Sequence, residues 1–545
     1  MYSSNFIKYL LYIISLIFFI GIWLYVFTSL QMIFTTYPPF PIQVNAFLSI
    51  FFNVLILIFE LITALYGIFL LIHTALVFNK TEEGPDFKKL DIFPIVSLII
   101  PTFNPDLYAI ETNLLNLSKL AYPNKEVFIT DNSDDPHIVK QLEKLTQKFN
   151  VNFLHRDGLS GFKAKNLNNA IERISGKYFL IIDIDQSLKE SSIEKFVYLF
   201  EKSKNNDLAF IQGRFAIKNA DNIIRTSIAI LYTFFYDVIS LAKSYRGTVL
   251  FNGSSGCFRT NIVRTIGGFP ENCYTEDIAI SNKLLLNGYN SLYLNDSVTT
   301  ALVPWKLTTL LSSFWRWTHG GTSCLNLYGK DIIKSKKISL DKKIELLMNG
   351  ISFIAISGIL IVICSMLCMY WLNLEIVRPD LILYKVSFPL YLFFPIFTSL
   401  NHLINCLIGM WESKTLHRIL YLIPYSIASI AISVFILFPT YYAILGIKGP
   451  DSPNSRWNRK FNVSKVIIIL SLTFVIFTYS WYSAFLQNNL LWPSFASMSL
   501  LSISTIVFLL KDIKIDVPKE DYTYFYNFRK QNGFEITSEY QQVRK

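Results

Sequence analysis

The chain has 545 residues, 52% of them hydrophobic and 16% charged, with a net charge of +11 and a mean hydropathy of +0.38. That balance is too apolar for a soluble globular protein. The basic excess comes without the interleaved basic and aromatic pattern of a nucleic-acid binder, and it suits faces laid against an anionic inner leaflet. The six cysteines form neither a CxxC nor a Cys/His metal spacing. They read as free thiols in a reducing compartment, not as a disulfide framework.

In chain order, "FIKYLLYIISLIFFIGIWLYVF" and "AFLSIFFNVLILIFELITALYGIFLLI" open the sequence. Each is long enough to cross about 30 Å of hydrocarbon as a helix. The first is too long for a signal peptide and is followed at once by a second span. Four further runs of this kind start at residues 346, 386, 466 and 490. The segment Leu420–Leu445 is also long enough to span. Lys414 and Arg418 precede it, and Lys448, Arg456, Arg459 and Lys460 follow it, so both ends read as cytoplasmic. Pro424 and Pro439 are expected to disturb it. An interfacial or re-entrant helix is the preferred reading, giving six true spans, and a seventh span is the alternative.

Charge bias places the Lys- and Arg-rich central region inside, together with the N-terminus. The expected division is two spanning helices in 1–79, a cytoplasmic domain with interfacial helices in 80–340 and two spans in 341–412. The interfacial or re-entrant helix with its basic loop follows in 413–464, then two spans in 465–511 and a cytoplasmic tail in 512–545. The whole reads as a multi-pass protein of the cell membrane. No feature of the sequence points to an oligomeric state.

The central region alternates. "FPIVSLIIPTFN", "KEVFITDNSDD", "VNFLHRD" and "KYFLIIDID" read as strands, and helix-patterned segments separate them. Such alternation predicts an α/β, Rossmann-like domain with a mostly parallel sheet and helices on both faces. Ligands of these sheets bind beyond the carboxyl ends of the strands. Three strands end in polar residues there: Thr102 and Asn104, then Asp131, then Asp183 and Asp185. Residues two apart on a strand share a face, so Asp183 and Asp185 are expected to converge at the strand exit. There they could offer hard oxygen ligands to Mg²⁺ or Mn²⁺. A solvated turn is the competing reading of the same residues.

Downstream lie "LYTFFYDVISLAKSYRG" (Leu231–Gly247), expected to seat the domain on the membrane surface, then "FNGSSGCF", "TED" and "SSFWRWTHGG". Thr275 reads as the cap of the following helix, and Glu276 and Asp277 as complements to its dipole. Trp315 is expected in an interfacial aromatic belt, whereas Arg316 and Trp317 suit phosphate pairing and sugar stacking. His319 reads as a local hydrogen-bonding residue.

In this order the motifs resemble the membrane-embedded family-2 glycosyltransferases, the group of cellulose, chitin, hyaluronan and poly-N-acetylglucosamine synthases. The resemblance covers roughly residues 94 to 325 and the pattern of flanking spans. It implies a GT-A-like fold, a nucleotide-diphosphate sugar donor, commonly a UDP-sugar, and inverting transfer. By resemblance, Thr102, Asn104 and Asp131 belong to the nucleotide pocket, Lys163 to the loop beside it, and Asp183 and Asp185 to the metal–diphosphate motif. Asp277 is then the general base, Glu276 beside it belongs to the substrate-binding residues, and Arg316 and Trp317 bind diphosphate and acceptor sugar. The acceptor implied is a growing β-linked polysaccharide, extruded through the spans, or alternatively a lipid such as a polyprenyl phosphate or glycolipid. The chain departs from the pattern in three places. Asn132 stands for a second acid, Ser313 replaces the Gln of QxxRW, and the gating motif survives only as "SRWNRKFNVSK" around Trp457.

Overall fold

A computed structural model describes residues 2–36, 44–77 and 87–375, with breaks at 89, 159, 204–205, 218–222 and 305–306. It also describes isolated positions between 403 and 420, and residues 422–447, 463–487 and 492–513. The span expected at 386–410, the basic loop around Trp457 and the tail beyond residue 513 fall largely or wholly outside these residues.

Two long helices come first, α1 (Tyr2–Thr36) and α2 (Val44–Val77). The soluble domain then runs β1 (Val96–Thr102), α3 (Leu107–Ser118), β2 (Lys125–Asp131), α4 (Pro136–Phe149), β3 (Asn152–His155), α5 (Phe162–Arg173) and β4 (Tyr178–Ile181). It continues with β5 (Ser187–Leu188), α6 (Ser192–Lys202), β6 (Leu208–Ile217) and α7 (Ile223–Phe234), which runs through a π-helical turn into α8 (Leu241–Ser244). Next come β7 (Gly256–Arg259), α9 (Thr260–Thr265), α10 (Glu276–Leu286), β8 (Asn290–Ala301) and α11 (Leu307–Lys334). The helices α12 (Leu340–Trp371), α13 (Leu422–Ile444), α14 (Val463–Leu486) and α15 (Trp492–Ile513) complete the described chain.

The strands form one sheet in the order β3-β2-β1-β4-β7-β6-β8-β5. The expected parallel pairing holds from β3 to β4. Beyond β4 the sheet is mixed, because β7 runs antiparallel to both β4 and β6. The result is a GT-A-like α/β sheet. Its strands are apolar on both faces, as a covered sheet requires. Leu98, Ile100 and Leu180 pack under α3, α4 and α6. Ile99, Phe179 and Ile181 pack under α5, α9 and α10. Local caps set the helix starts: Asp106 accepts from Ala109 N–H, and Asp135 from His137 N–H just before Pro136.

Among the described residues, three helical stretches are long and apolar enough to cross a membrane: Tyr9–Thr36, Val44–Val77 and Leu340–Trp371. Helix α13 is one continuous 23-residue helix with Pro439 inside it. The domain is joined to the helices by α7 and the start of α11, where Ile228, Leu307, Leu310 and Leu311 pack with Ile432, Ile436, Leu470 and Ile506. From the segment Leu231–Gly247, Phe234, Val238 and Ile239 pack with Leu70 of α2 and Leu422 of α13.

Candidate active site

The chain order reverses beside β1, which lies between β2 and β4. That is the position at which open α/β sheets bind ligands. A cavity of about 830 Å³ opens there and continues between α2, α7, α11 and α12.

Of the expected nucleotide residues, Thr102 lines this cavity and Asp131 and Asn104 do not. Asp131 is fully buried. Its carboxylate accepts from Thr102 Oγ1 (2.8 Å), Ser133 N (3.0 Å) and Ser133 Oγ (2.6 Å), and His155 Nδ1 lies 2.8 Å away. Asn104 takes a left-handed backbone, φ 41°. It donates from its N–H to Ser133 Oγ and from Nδ2 to Asp134. These two residues build the paired turns after β1 and β2, and Thr102, Phe103 and Asn132 form the wall. Asn132, the departure from the family pattern, accepts from Asn166 Nδ2 at 2.7 Å.

The two aspartates of "DID" reach the cavity by a different route from the one expected. Strand β4 stops at Ile181. Asp183 to Gln186 form a turn closed by Gln186 N–H to Asp183 C=O, and both carboxylates line the cavity from that turn. The turn is clamped by residues that sequence reasoning missed. Asn113 of α3 donates to the carbonyls of Asp183 and Gln186. Gln186 donates to Ser254 Oγ and accepts from Asp183 N–H and Ser255 Oγ. Gln212 holds the facing loop through Asn252 N–H and Ser254 C=O. The available signal was polar residues at positions that are fully covered, as Gln186 and Gln212 are.

Lys163 sits between the acids. Its Nζ donates to Asp183 Oδ1 at 2.9 Å and to Gly253 C=O at 2.8 Å, and lies 3.9 Å from Glu276. Burial opposes its charge, but Asp183, Glu276 and Asp277 together hold its pKa above the ordinary value. Asp277 also shifts upward, but for an acid this disfavours the charge. Burial and the neighbouring Glu276 push its pKa up to about 7, against the pull of Ile278 N–H, Lys163 and Arg316. Thr275 occupies the N-cap position of α10 but makes no side-chain cap bond, which corrects the expected cap. Its hydroxyl instead faces Cys273 and Cys324.

Helix α11 supplies Ser313, Trp315, Arg316, Trp317 and His319 to the cavity wall. Phe314 holds Trp317 edge-on at 5.2 Å, and Tyr442 of α13 holds Trp315 at 6.1 Å. Trp315 therefore belongs to the wall as well as to a helix contact. His319 makes the local contact expected of it, Nε2 to Ile447 C=O at 2.9 Å. The site thus sets two carboxylates on a turn, a lysine between Asp183 and Glu276, and Asp277 beside Glu276 with a raised pKa. Aromatic faces lead away between the helices.

The chain matches the family model described as "Glycosyl transferase family group 2" over residues 178–510, more than half its length. It belongs to that family. Glucomannan 4-beta-mannosyltransferase 7 of Arabidopsis thaliana is 27% identical over 267 residues, covering 46% of this chain and 47% of that one. The UDP-forming cellulose synthase catalytic subunit of Komagataeibacter sucrofermentans is 26% identical over 286 residues, covering 51% and 37%. Poly-beta-1,6-N-acetyl-D-glucosamine synthase of Staphylococcus epidermidis is 25% identical over 302 residues, covering 55% and 70%. For the most part the chain spans about half the length of the curated relatives it matches.

The donor set also fits a divalent ion. Mg²⁺ and Mn²⁺ are commonly held by one or two carboxylates and completed by substrate phosphates and water, not by an all-protein cage. Two cavity-lining aspartates on one turn match that arrangement.

Proposed function

We propose that this family member transfers a sugar from a nucleotide-diphosphate donor, a UDP-sugar, to the end of a growing β-linked polysaccharide at the membrane. The observation that carries the reading is Asp277. It is a carboxylate on the cavity wall with its pKa near neutrality, in the same cavity as the "DID" turn.

Thr102, Phe103 and Asn132 bound the nucleotide side, with Asp131 and Asn104 holding those turns in place. Asp183 and Asp185 would hold Mg²⁺ or Mn²⁺, which would offset the charge developing on the leaving diphosphate. Lys163 and Arg316 add fixed positive charge on the same path. Asp277 takes the proton from the attacking hydroxyl, and Glu276 raises its basicity through like charge. A single base with no covalent nucleophile gives inversion, so an α-linked donor yields a β-linked product. Trp315 and Trp317 offer flat faces for the acceptor rings, and the cavity's continuation between α2 and α12 supports an extended acceptor and its passage into the helices.

The test is purified protein incubated with radiolabelled UDP-sugars, the products sized against lipid extracts. A ladder of high-molecular-mass product supports the polymer reading. Single transfer into the lipid fraction would replace it with a lipid acceptor, and absence of transfer from every UDP-sugar would sink the donor assignment.

A further inference from the structure

Two thiols that the proposed chemistry does not use lie against the catalytic turn. Cys273 Sγ and Cys324 Sγ are 3.3 Å apart, and both are buried. Cys273 is four residues before Asp277, on the loop that enters α10. Cys324 is on α11, the helix that carries Arg316 and Trp317. Thr275 Oγ1 lies 3.6 Å from one sulfur and 3.8 Å from the other. The joint has no slack. A Cβ on Gly320 of α11 would collide with Thr275 Cγ2, and one on Gly321 would sit 2.7 Å from Phe353.

We propose that Cys273 and Cys324 are an oxidisable dithiol, and that its conversion to a disulfide by a peroxide displaces the Asp277 turn against the Arg316 helix and stops transfer. The chemistry balances. The Cys273 thiolate attacks one peroxide oxygen, breaking the O–O bond and forming a sulfenic acid with release of one water. Cys324 sulfur then attacks the sulfenic sulfur, forming the S–S bond and releasing a second water. The two thiols lose two electrons and two protons, and hydrogen peroxide is reduced to two waters. The hydrogen bond from Cys324 lowers the Cys273 pKa to about 7 despite burial, which favours the nucleophilic thiolate at the first step. Tyr274 and Thr275, the residues after Cys273, are on the cavity wall, so a small oxidant has a route.

A disulfide requires an S–S distance of about 2.05 Å, so the sulfurs must close by more than about 1 Å from their present contact. A displacement on the order of 1 Å at reacting groups costs about 10²-fold in rate. This inference rests on Asp277 being the base, and the experiment separates the two. Full-length protein in micelles is treated with hydrogen peroxide and its remaining thiols are alkylated. It is then divided for peptide mass spectrometry, transfer assay and UDP binding. The expected result is a Cys273–Cys324 linkage, kcat lower by about 10²-fold and UDP affinity changed only a few-fold, all reversed by dithiothreitol. The Cys324→Ser protein should lose the peroxide response. If that variant does not fold, linkage and reversal in the parent protein decide alone. No linkage under excess peroxide, or full linkage with unchanged kcat, overturns the proposal. Retained transfer in reduced Asp277→Asn protein overturns the base assignment instead.

Discussion

Gly253 and Asp277 are matched in space: a Cβ on Gly253 would lie 3.2 Å from Asp277 Oδ2. Gly253 also has φ +87°, a backbone region that side chains rarely adopt, and its carbonyl accepts from Lys163. Gly253→Ala is therefore expected to strain the loop by about 1–3 kcal/mol and to crowd the base. Transfer should fall at least ten-fold more than donor affinity does. Equal losses in the two, measured on one preparation, would show that the loop serves the donor and not the base.

The "DID" turn sets the expectation for metal. Excess chelator should stop turnover, and Mg²⁺ or Mn²⁺ should restore it. Asp185→Asn should do the same irreversibly while the protein still unfolds cooperatively, because the turn is held through Asn113 and Gln186 and not through the carboxylate alone. Full turnover in chelator would remove the metal from the mechanism.

The first half of the sheet was legible because β1, β2 and β4 are apolar runs separated by helix-patterned segments, and because polar residues stop each run at the same end. The second half was not. β7 is four residues long and pairs antiparallel with strands distant in sequence, and the β6–β8 pairing contains register shifts. No local pattern encodes either. The motifs of the site were legible as residues, and their geometry was not. Asp183 and Asp185 reach the cavity from a turn, where the strand rule of alternating faces does not apply. Asp131 is consumed by its neighbour Ser133 and by Thr102 and His155, the last two brought to it only by the parallel register of β1, β2 and β3. The thiol pair joins residues 51 apart in the chain, a separation at which spacing carries no signal.

A buried ion cluster fixes the domain to its helices. Glu345 of α12 is fully buried and lies 3.2 Å from His73 of α2, 3.0 Å from Lys243 of α8 and 3.1 Å from Arg246. Lys243 also donates to Asn349, and both line the cavity. Glu345→Ala leaves these basic groups facing one another and is expected to cost about 3–5 kcal/mol. The thermal midpoint in detergent should drop accordingly, and Glu345→Asp should recover part of it. An unchanged midpoint would mean that the cluster is solvated and the helices are held by apolar packing alone.

Asp277 carries the sharpest expectation, because its role and its burial pull in opposite directions. As a base it works only when ionised, so kcat should rise with pH and level off above about pH 7, where its raised pKa lies. Asp277→Asn should lower transfer by about 10²- to 10⁴-fold and leave UDP binding nearly intact, since Thr102, Asn132 and the "DID" turn are separate from α10. The stability sign is the reverse. A carboxyl whose pKa is raised by folding favours the folded state most below its unfolded value, near pH 4, and that contribution is lost as pH rises through 7. The aspartate is therefore a burden at pH 8 and not at pH 4. Asp277→Asn, which cannot ionise, should gain in thermal midpoint relative to the parent at pH 8, with the gain vanishing toward pH 4. Titrating the midpoint of both proteins across that range, beside the pH–rate profile of the parent, tests the assignment twice. A midpoint difference independent of pH, together with a rate that is flat from pH 5 to 8, would remove Asp277 as the base and leave Glu276 to be tested in its place.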